Sequence, residues 1–360
     1  MIVGHGGNKK GLARRLGCPV EEIIDMSSNL NPLGPPPEIS ALIQDNLESL
    51  QSLPEPDART MRQGFGNYHG LDLDCVMAGN GTTWFIYAIP TALKSRKVLI
   101  CGPTYSDYQD ACAMTGLEIR FAMARASREF VPDLDEISGL AGQADLVFLC
   151  NPNNPTGALL ARDKIGFLLK THPQTCFVVD ESYLPFADRA EEISLVSEKG
   201  FSNLLVLSSM SKIFRIPGLR TGFLTGSKEL IEKVFGYYQP WSVNSLAQAV
   251  VSKVFESPGF IRPFYDKTRE FTARQKKQFA GALKESKGLT LFPGSAYFVL
   301  AGLETMGAHE FCDRVGEDRI LIRDCTNFQG LGSGFVRFSL KMEPINMKLV
   351  QSIKRVLNHG

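Results

Sequence analysis

The 360-residue chain carries 39 Lys and Arg against 38 Asp and Glu, a net charge of +1, so no bulk field draws it to nucleic acid or an anionic membrane. With 44% hydrophobic and 21% charged residues it has the composition of an ordinary globular protein, and no apolar run reaches the ~18 residues that a spanning helix needs. The eight cysteines show no C-x-x-C pair and no His/Cys ligand spacing, which points to buried thiols of a cytoplasmic protein and to no metal site.

At ~150 residues per domain the length predicts about two domains. The start, Met1-Ile2-Val3-Gly4-His5, lacks the charged and apolar regions of a signal peptide. Residues 1–37 hold His5-Gly6-Gly7-Asn8 and Ser27-Ser28-Asn29-Leu30-Asn31-Pro32-Leu33-Gly34, which suit tight turns and close backbone approach rather than a packed core. His5 and Asn29 gain a binding role only if this arm folds over a site elsewhere. From Glu38 the pattern turns helical, with Ile39, Leu42, Ile43 and Leu47 on one face. Gly79-Asn80-Gly81-Thr82-Thr83 then precedes an apolar helix, Trp84 to Leu93. Free backbone amides after a glycine turn make an anion site, or else a plain loop with a threonine cap. The stretch is neither a Walker loop nor a dinucleotide fingerprint.

Alternating strands and helices follow, which argues for a doubly wound sheet. Arg96 to Cys101 reads as a strand ending at Gly102-Pro103-Thr104-Tyr105, where the Tyr105 ring either covers a flat ligand or packs in the core. Asp145 to Cys150 is the next strand and runs into Asn151-Pro152-Asn153-Asn154-Pro155-Thr156-Gly157. Its prolines stiffen the loop, and a rigid Asn154 amide can donate to a phenolic oxygen. Cys176 to Asp180 is a third strand, with Tyr183 three residues beyond it. A carboxylate closing an apolar strand is costly without a partner, so Asp180 either caps a helix or meets a cation such as a pyridinium N–H.

The apolar run Leu204 to Leu207 leads into Ser208-Ser209-Met210-Ser211-Lys212 and then Pro217-Gly218-Leu219-Arg220. The carboxyl edge of a parallel sheet is where ligands sit in α/β folds. A lysine amine, small hydroxyls and a forked cation at such an edge suit a phosphate-bearing aldehyde such as pyridoxal phosphate, carried as a Schiff base. A solvated Lys and Arg in a polar loop is the other reading. After Gly236 to Asn244 comes a helix to about Glu256, a long polar helix from Arg262 to Lys287, and strands at Leu289–Phe292, Tyr297–Ala301, Arg319–Arg323 and Phe335–Leu340. The helix Pro344 to Leu357 closes the chain. Arg323 and Arg337 each sit in an apolar strand, either facing solvent or forming a forked site for an anionic substrate.

The ordered set Gly81-Thr82-Thr83, Tyr105, N-P-N-N-P-T-G, Asp180-x-x-Tyr183, S-x-S-K and P-G-L-R-x-G resembles the aspartate-aminotransferase superfamily of pyridoxal-phosphate enzymes over nearly the whole chain. Two of its groups look closest. His5 to Asn8, Ser28 to Gly34 and Pro240 to Asn244 resemble the L-threonine O-3-phosphate decarboxylases, whereas Gly102 to Tyr105 looks more like the histidinol-phosphate aminotransferases.

The resemblance implies an α/β fold of type I: a large domain with a mostly parallel doubly wound sheet over 38–248, and a smaller α+β domain from 1–37 plus 249–360. It implies pyridoxal 5'-phosphate on Lys212, with Asp180 at the ring nitrogen, Asn154 and Tyr183 at the ring oxygen and Tyr105 on the ring face. The cofactor phosphate would meet Gly81, Thr82, Thr83, Ser209, Ser211 and Arg220. Arg337 would take the substrate carboxylate, and Arg323, His5 and Asn29 the substrate phosphate, or the two arginines exchanged. The implied reaction is decarboxylation of O-phospho-L-threonine to 1-amino-2-propanol O-phosphate for cobalamin side-chain synthesis. Histidinol-phosphate transamination and a preference for O-phospho-L-serine are the alternatives. A cytoplasmic homodimer is implied too. One departure stands out: relatives often carry a tyrosine before the Pro-[DE] of this region that reaches the neighbouring subunit's cofactor, and Leu53 precedes Pro54-Glu55 here.

Overall fold

The computed structural model describes residues 6–358. Seven strands build the main sheet: β1 (Val76–Asn80), β2 (Lys97–Gly102), β3 (Glu118–Met123), β4 (Leu146–Cys150), β5 (Cys176–Asp180), β6 (Leu204–Ser209) and β7 (Thr221–Gly226). They lie in the order β1-β7-β6-β5-β4-β2-β3, and only β7 runs antiparallel to its neighbours. Helices cover both faces, so β4 and β5 are buried at every position, which is why they read as unbroken apolar runs. Alternate side chains feed two cores: Val147, Leu149, Phe177 and Val179 go to one face, and Leu146, Phe148 and Val178 to the other.

A second, antiparallel sheet has the order β10-β11-β9-β8, from β8 (Leu289–Leu291), β9 (Phe298–Leu303), β10 (Arg323–Asp324) and β11 (Phe335–Ser339). Its apolar face packs against the helices Ile261–Leu283, Ala308–Gly316 and Glu343–Asn358 through Phe279, Phe311, Phe338 and Ile353. Arg323 stands directly opposite Arg337 in the β10–β11 register.

Three expectations change. The strand expected over 319–323 is two: Ile320–Leu321 pairs in parallel with Ile24–Asp25, while Arg323–Asp324 joins the second sheet. The N-terminal arm is more than turns. Lys9–Leu16 is a helix, with the Asn8 side chain accepting from the Gly11 amide at 3.0 Å and Gly17 closing it in the left-handed region. Leu12 and Ala13 pack it onto Ile23. β1, β3 and β7 were not expected. β3 is an edge strand whose polar side chains face solvent, and the glycines of β1 (Gly79) and β7 (Gly222 and Gly226) are poor strand formers. No described helix is long and apolar enough to cross a membrane.

Candidate active site

The carboxyl ends of the main sheet's parallel strands meet the second sheet across a cavity of about 330 Å³. Tyr105, Asn154, Tyr183 and Lys212 line it from one side, and Asn29, Arg323 and Arg337 from the other.

Lys212 follows β6 on a one-turn helix, Met210–Ile213. Burial pushes its amine below the usual lysine range, the Arg220 charge adds to this, and Asp180 opposes it. The N-terminal arm is tied to this turn. The Asn31 amide donates to the Ile213 carbonyl at 2.7 Å and to Thr268 Oγ1 at 3.1 Å, and its backbone N–H donates to the Lys212 carbonyl at 3.1 Å.

Asp180 closes β5 and is buried. Its Oδ1 accepts from the Ser182 amide at 2.9 Å in a local turn, and its Oδ2 accepts from Tyr108 Oη at 2.8 Å. Asp180 is therefore a turn former whose charge also acts on Lys212. Tyr108 was missed from sequence. It lies one helical turn beyond Tyr105 on the helix Ser106–Met114, and that i, i+3 spacing of tyrosines was the available signal.

Asn154 Oδ1 accepts from Arg337 Nη1, which leaves Asn154 Nδ2 without a partner among the described residues. The Tyr183 oxygen accepts from Asn29 Nδ2 at 3.1 Å, and Asn29 Oδ1 accepts from Ser339 Oγ at 2.6 Å. Asn29 was expected at the substrate phosphate. It also braces Tyr183 from the cavity wall, with its acceptor and one of its two donors engaged. Tyr183 thus keeps its own proton to donate into the cavity. Gly6 also borders the cavity, and Gly7 N–H donates to Ser27 Oγ at 2.7 Å, so the arm folds over the site. His5 lies outside the described residues.

An anion cup lies beside Lys212. The helix Thr82–Ala92 begins after Gly81 with no side chain capping its first amides, which leaves the Thr82 and Thr83 N–H groups available. Gly81 has φ +75°, and a Cβ there would stand 2.5 Å from Arg220 Nη2. A Cβ on Gly222 would stand 2.4 Å from the Thr82 nitrogen. Both glycines therefore let Arg220 and the helix start converge. Ser209 pairs with Gly222 across β6 and β7. Ser211 Oγ donates to the Thr221 carbonyl at 3.3 Å, and Thr221 Oγ1 is buried with no partner among the described residues. Uncapped amides, hydroxyls and a guanidinium around a hollow fit a phosphate ester.

On the opposite wall the two arginines are 8% and 4% exposed, and among the described residues neither forms an ion pair. Arg323 donates to the Asp324 carbonyl and, at 2.6 Å, to Asn327 Oδ1, and lies 5.0 Å over the Phe328 ring. Burial lowers the affinity of its guanidinium for the proton. Arg337 donates to the Ser27 carbonyl at 2.7 Å and lies 5.3 Å over Phe298, while its buried Nε has no partner among the described residues. Neutral oxygens and ring faces hold these cations in place without cancelling their charge, so the cavity selects anions. Leu53, which precedes Pro54-Glu55, is 83% exposed.

The model of the family "Aminotransferase class I and II" matches residues 21–353. The threonine-phosphate decarboxylase of Salmonella typhimurium is 31% identical, covering 98% of this chain and 96% of that one. The histidinol-phosphate aminotransferase of Methanocaldococcus jannaschii is 26% identical over 93% of this chain and 89% of that one. Among solved structures, L-threonine-O-3-phosphate decarboxylase from Porphyromonas gingivalis superposes with a TM-score of 0.83 at 30% identity, covering 93% of this chain and 100% of that one. A histidinol-phosphate aminotransferase from Sinorhizobium meliloti, solved with pyridoxal-5'-phosphate, shares the fold at 17% identity and a TM-score of 0.85, covering 100% of this chain and 96% of that one. The chain belongs to the aminotransferase class I and II family.

Proposed function

We propose that this protein decarboxylates O-phospho-L-threonine to 1-amino-2-propanol O-phosphate, a step in cobalamin side-chain synthesis, with pyridoxal 5'-phosphate as its cofactor. The observation that carries the reading is the pair of buried, uncompensated guanidiniums of Arg323 and Arg337 under an arm that reaches the same cavity. A substrate bearing both a carboxylate and a phosphate fills that pair with one molecule, whereas transamination of histidinol phosphate would fill it in turn, with the phosphate of one substrate and the carboxylates of 2-oxoglutarate. The threonine-phosphate decarboxylase relatives support the same choice.

Bound here, the cofactor supplies an electron sink for a bond broken at the substrate's α-carbon. Lys212 carries it and moves protons through Nζ, for which its lowered affinity for the proton suits it. Gly81, Thr82, Thr83, Ser209, Ser211 and Arg220 hold its phosphate. Asn154 Nδ2 and the Tyr183 proton, both free to donate, serve its phenolic oxygen. Tyr105 covers its ring, and Asp180 meets its ring nitrogen. Arg337 and Arg323 would grip the substrate's two anions and so fix which α-carbon bond is offered for breaking. Favouring the bond to the carboxylate by about 2.7 kcal/mol would give ~100-fold selectivity for losing carbon dioxide over losing a proton. Lys212 Nζ would supply the proton that takes the carboxylate's place.

A homodimer also fits, since Leu47, Leu50, Leu53 and Trp241 expose apolar side chains. The deciding experiment incubates the enzyme with phosphothreonine, phosphoserine and histidinol phosphate, with and without 2-oxoglutarate. Carbon dioxide from phosphothreonine without an acceptor is expected, at a greater rate than from phosphoserine. Acceptor-dependent glutamate from histidinol phosphate, with no carbon dioxide from either phosphoamino acid, overturns the reading.

A further inference from the structure

Tyr108 is a fully buried tyrosine, 1% exposed, that takes no part in lining the cavity. Its ring stacks on Phe148 of β4 at 5.0 Å with 12° between planes, and meets Tyr105 edge-on at 5.8 Å. Two aromatic contacts therefore fix its direction, and its hydroxyl ends 2.8 Å from Asp180 Oδ2. Asp180 Oδ1 is held separately by the Ser182 amide at 2.9 Å. A carboxylate gripped at both oxygens cannot rotate about its Cβ–Cγ bond, so the direction of its remaining lone pairs is set before any ligand arrives. Burial first, and the Asp180 charge second, push the Tyr108 phenol well above its ordinary range. It therefore stays a donor throughout the working pH of the protein.

We infer that Tyr108 is a positioning residue: its hydroxyl fixes the plane of the Asp180 carboxylate and thereby aims that carboxylate at the ring nitrogen of the cofactor. The inference rests on the placement of that nitrogen at Asp180 given above. Tyr105 and Tyr108 then divide one helix turn between two tasks, one ring covering the cofactor face and one hydroxyl setting its counter-ion.

The test compares pyridoxal phosphate with its carbocyclic analogue, in which CH replaces the ring nitrogen, by equilibrium titration of the apo-enzyme. Wild type should bind the natural cofactor more tightly than the analogue. Tyr108→Phe keeps the ring and removes only the oxygen. It should weaken the natural cofactor roughly tenfold, the scale of one hydrogen bond, and leave the analogue's affinity unchanged. In the loaded enzyme, kcat should fall while KM stays within about twofold, since the substrate anions are held elsewhere. Equal weakening of both cofactors, as a purely structural role would give, overturns the inference, and so does no weakening of either. If wild type fails to discriminate between them, the placement of the nitrogen at Asp180 is what fails. Should Tyr108→Phe not fold, Phe148→Leu keeps the hydroxyl but slackens its aim. It should then produce the same nitrogen-dependent loss at smaller size, and a loss independent of the nitrogen again refutes the inference.

Discussion

The two walls of the cavity are built on opposite plans. On the main-sheet wall, Lys212, Asn154 and Tyr183 sit just beyond strand ends with a donor each left open. On the second-sheet wall, Arg323 and Arg337 lie within strands, buried and held by carbonyls, amides and rings. The first plan offers reactive groups that answer to a cofactor. The second offers fixed charge that answers to a substrate. Chemistry and selectivity are therefore separable by mutation, except at Asn154–Arg337 and Tyr183–Asn29, where the walls touch.

The sharpest break in that division is at Lys212. Lys212→Ala should abolish the visible absorption of the purified protein and lower turnover by roughly 10⁴-fold, the upper end of acid–base contributions. Borohydride should fix the cofactor on the Lys212 peptide of wild type, and labelling of another lysine would refute the assignment. On the other wall, Arg337→Gln should raise KM for the phosphoamino acid by roughly 10²–10³-fold, since truncating a buried charged partner costs about 3–4 kcal/mol. Arg323→Gln should act in the same direction. Both should purify with cofactor bound, and a colourless variant would merge the two walls into one function.

A third contrast lies behind the main-sheet wall, where Glu181 and His69 face a separate cavity of about 300 Å³. Burial raises the Glu181 carboxyl from 4.5 to about 7, against the Ser194 hydroxyl and Leu195 amide that donate to it. The unfolded chain releases this proton near 4.5 and the folded chain near 7, so the stability it confers is complete below 4.5 and lost as pH rises to 7. Burial lowers His69 from 6.5 to about 4, so its contribution is complete above 6.5 and lost as pH falls toward 4. The two oppose each other at about 3 kcal/mol each. Urea midpoints of Glu181→Gln should fall more steeply than those of wild type between pH 7 and 5, and those of His69→Gln should rise. Parallel profiles for all three proteins would remove the contrast. The smallest effect is expected at the cup: Gly81→Ala drives a methyl toward Arg220 and should weaken the cofactor roughly tenfold with KM for substrate unchanged. An equal rise in KM would show that the walls are coupled there.

The same asymmetry decides what could be read from the chain. The main-sheet wall was legible because each group follows an apolar run and sits in a short turn motif, so Asn154, Asp180 and Lys212 announce themselves locally. The second wall was half legible. Arg323 and Arg337 stand out as charges in apolar strands, but their facing register and the split of the strand at Ile322 come from long-range pairing. Asn29 was visible as a polar residue on a turn-rich arm, but its hydrogen bond to Tyr183 spans the chain and could not be read locally. Tyr108 looked like an ordinary core aromatic, because only the tertiary fold brings Asp180 to it. The helix Lys9–Leu16 was obscured by the glycines around it, although Asn8 was a legible cap.

The meeting of Gly81, Gly222 and Arg220 has a kinetic meaning. Its parts lie on either side of the parallel strands in the chain, and they come together only once β7 has turned back to pair with both β1 and β6. A chain that has assembled β2 to β6 but not seated β7 has no cup, however native the rest of its sheet. The cofactor therefore recognises completed chains and draws the folding equilibrium toward them by mass action. In a cell short of the cofactor, the shortage would be felt first as molecules in which β7 is unseated from the main sheet.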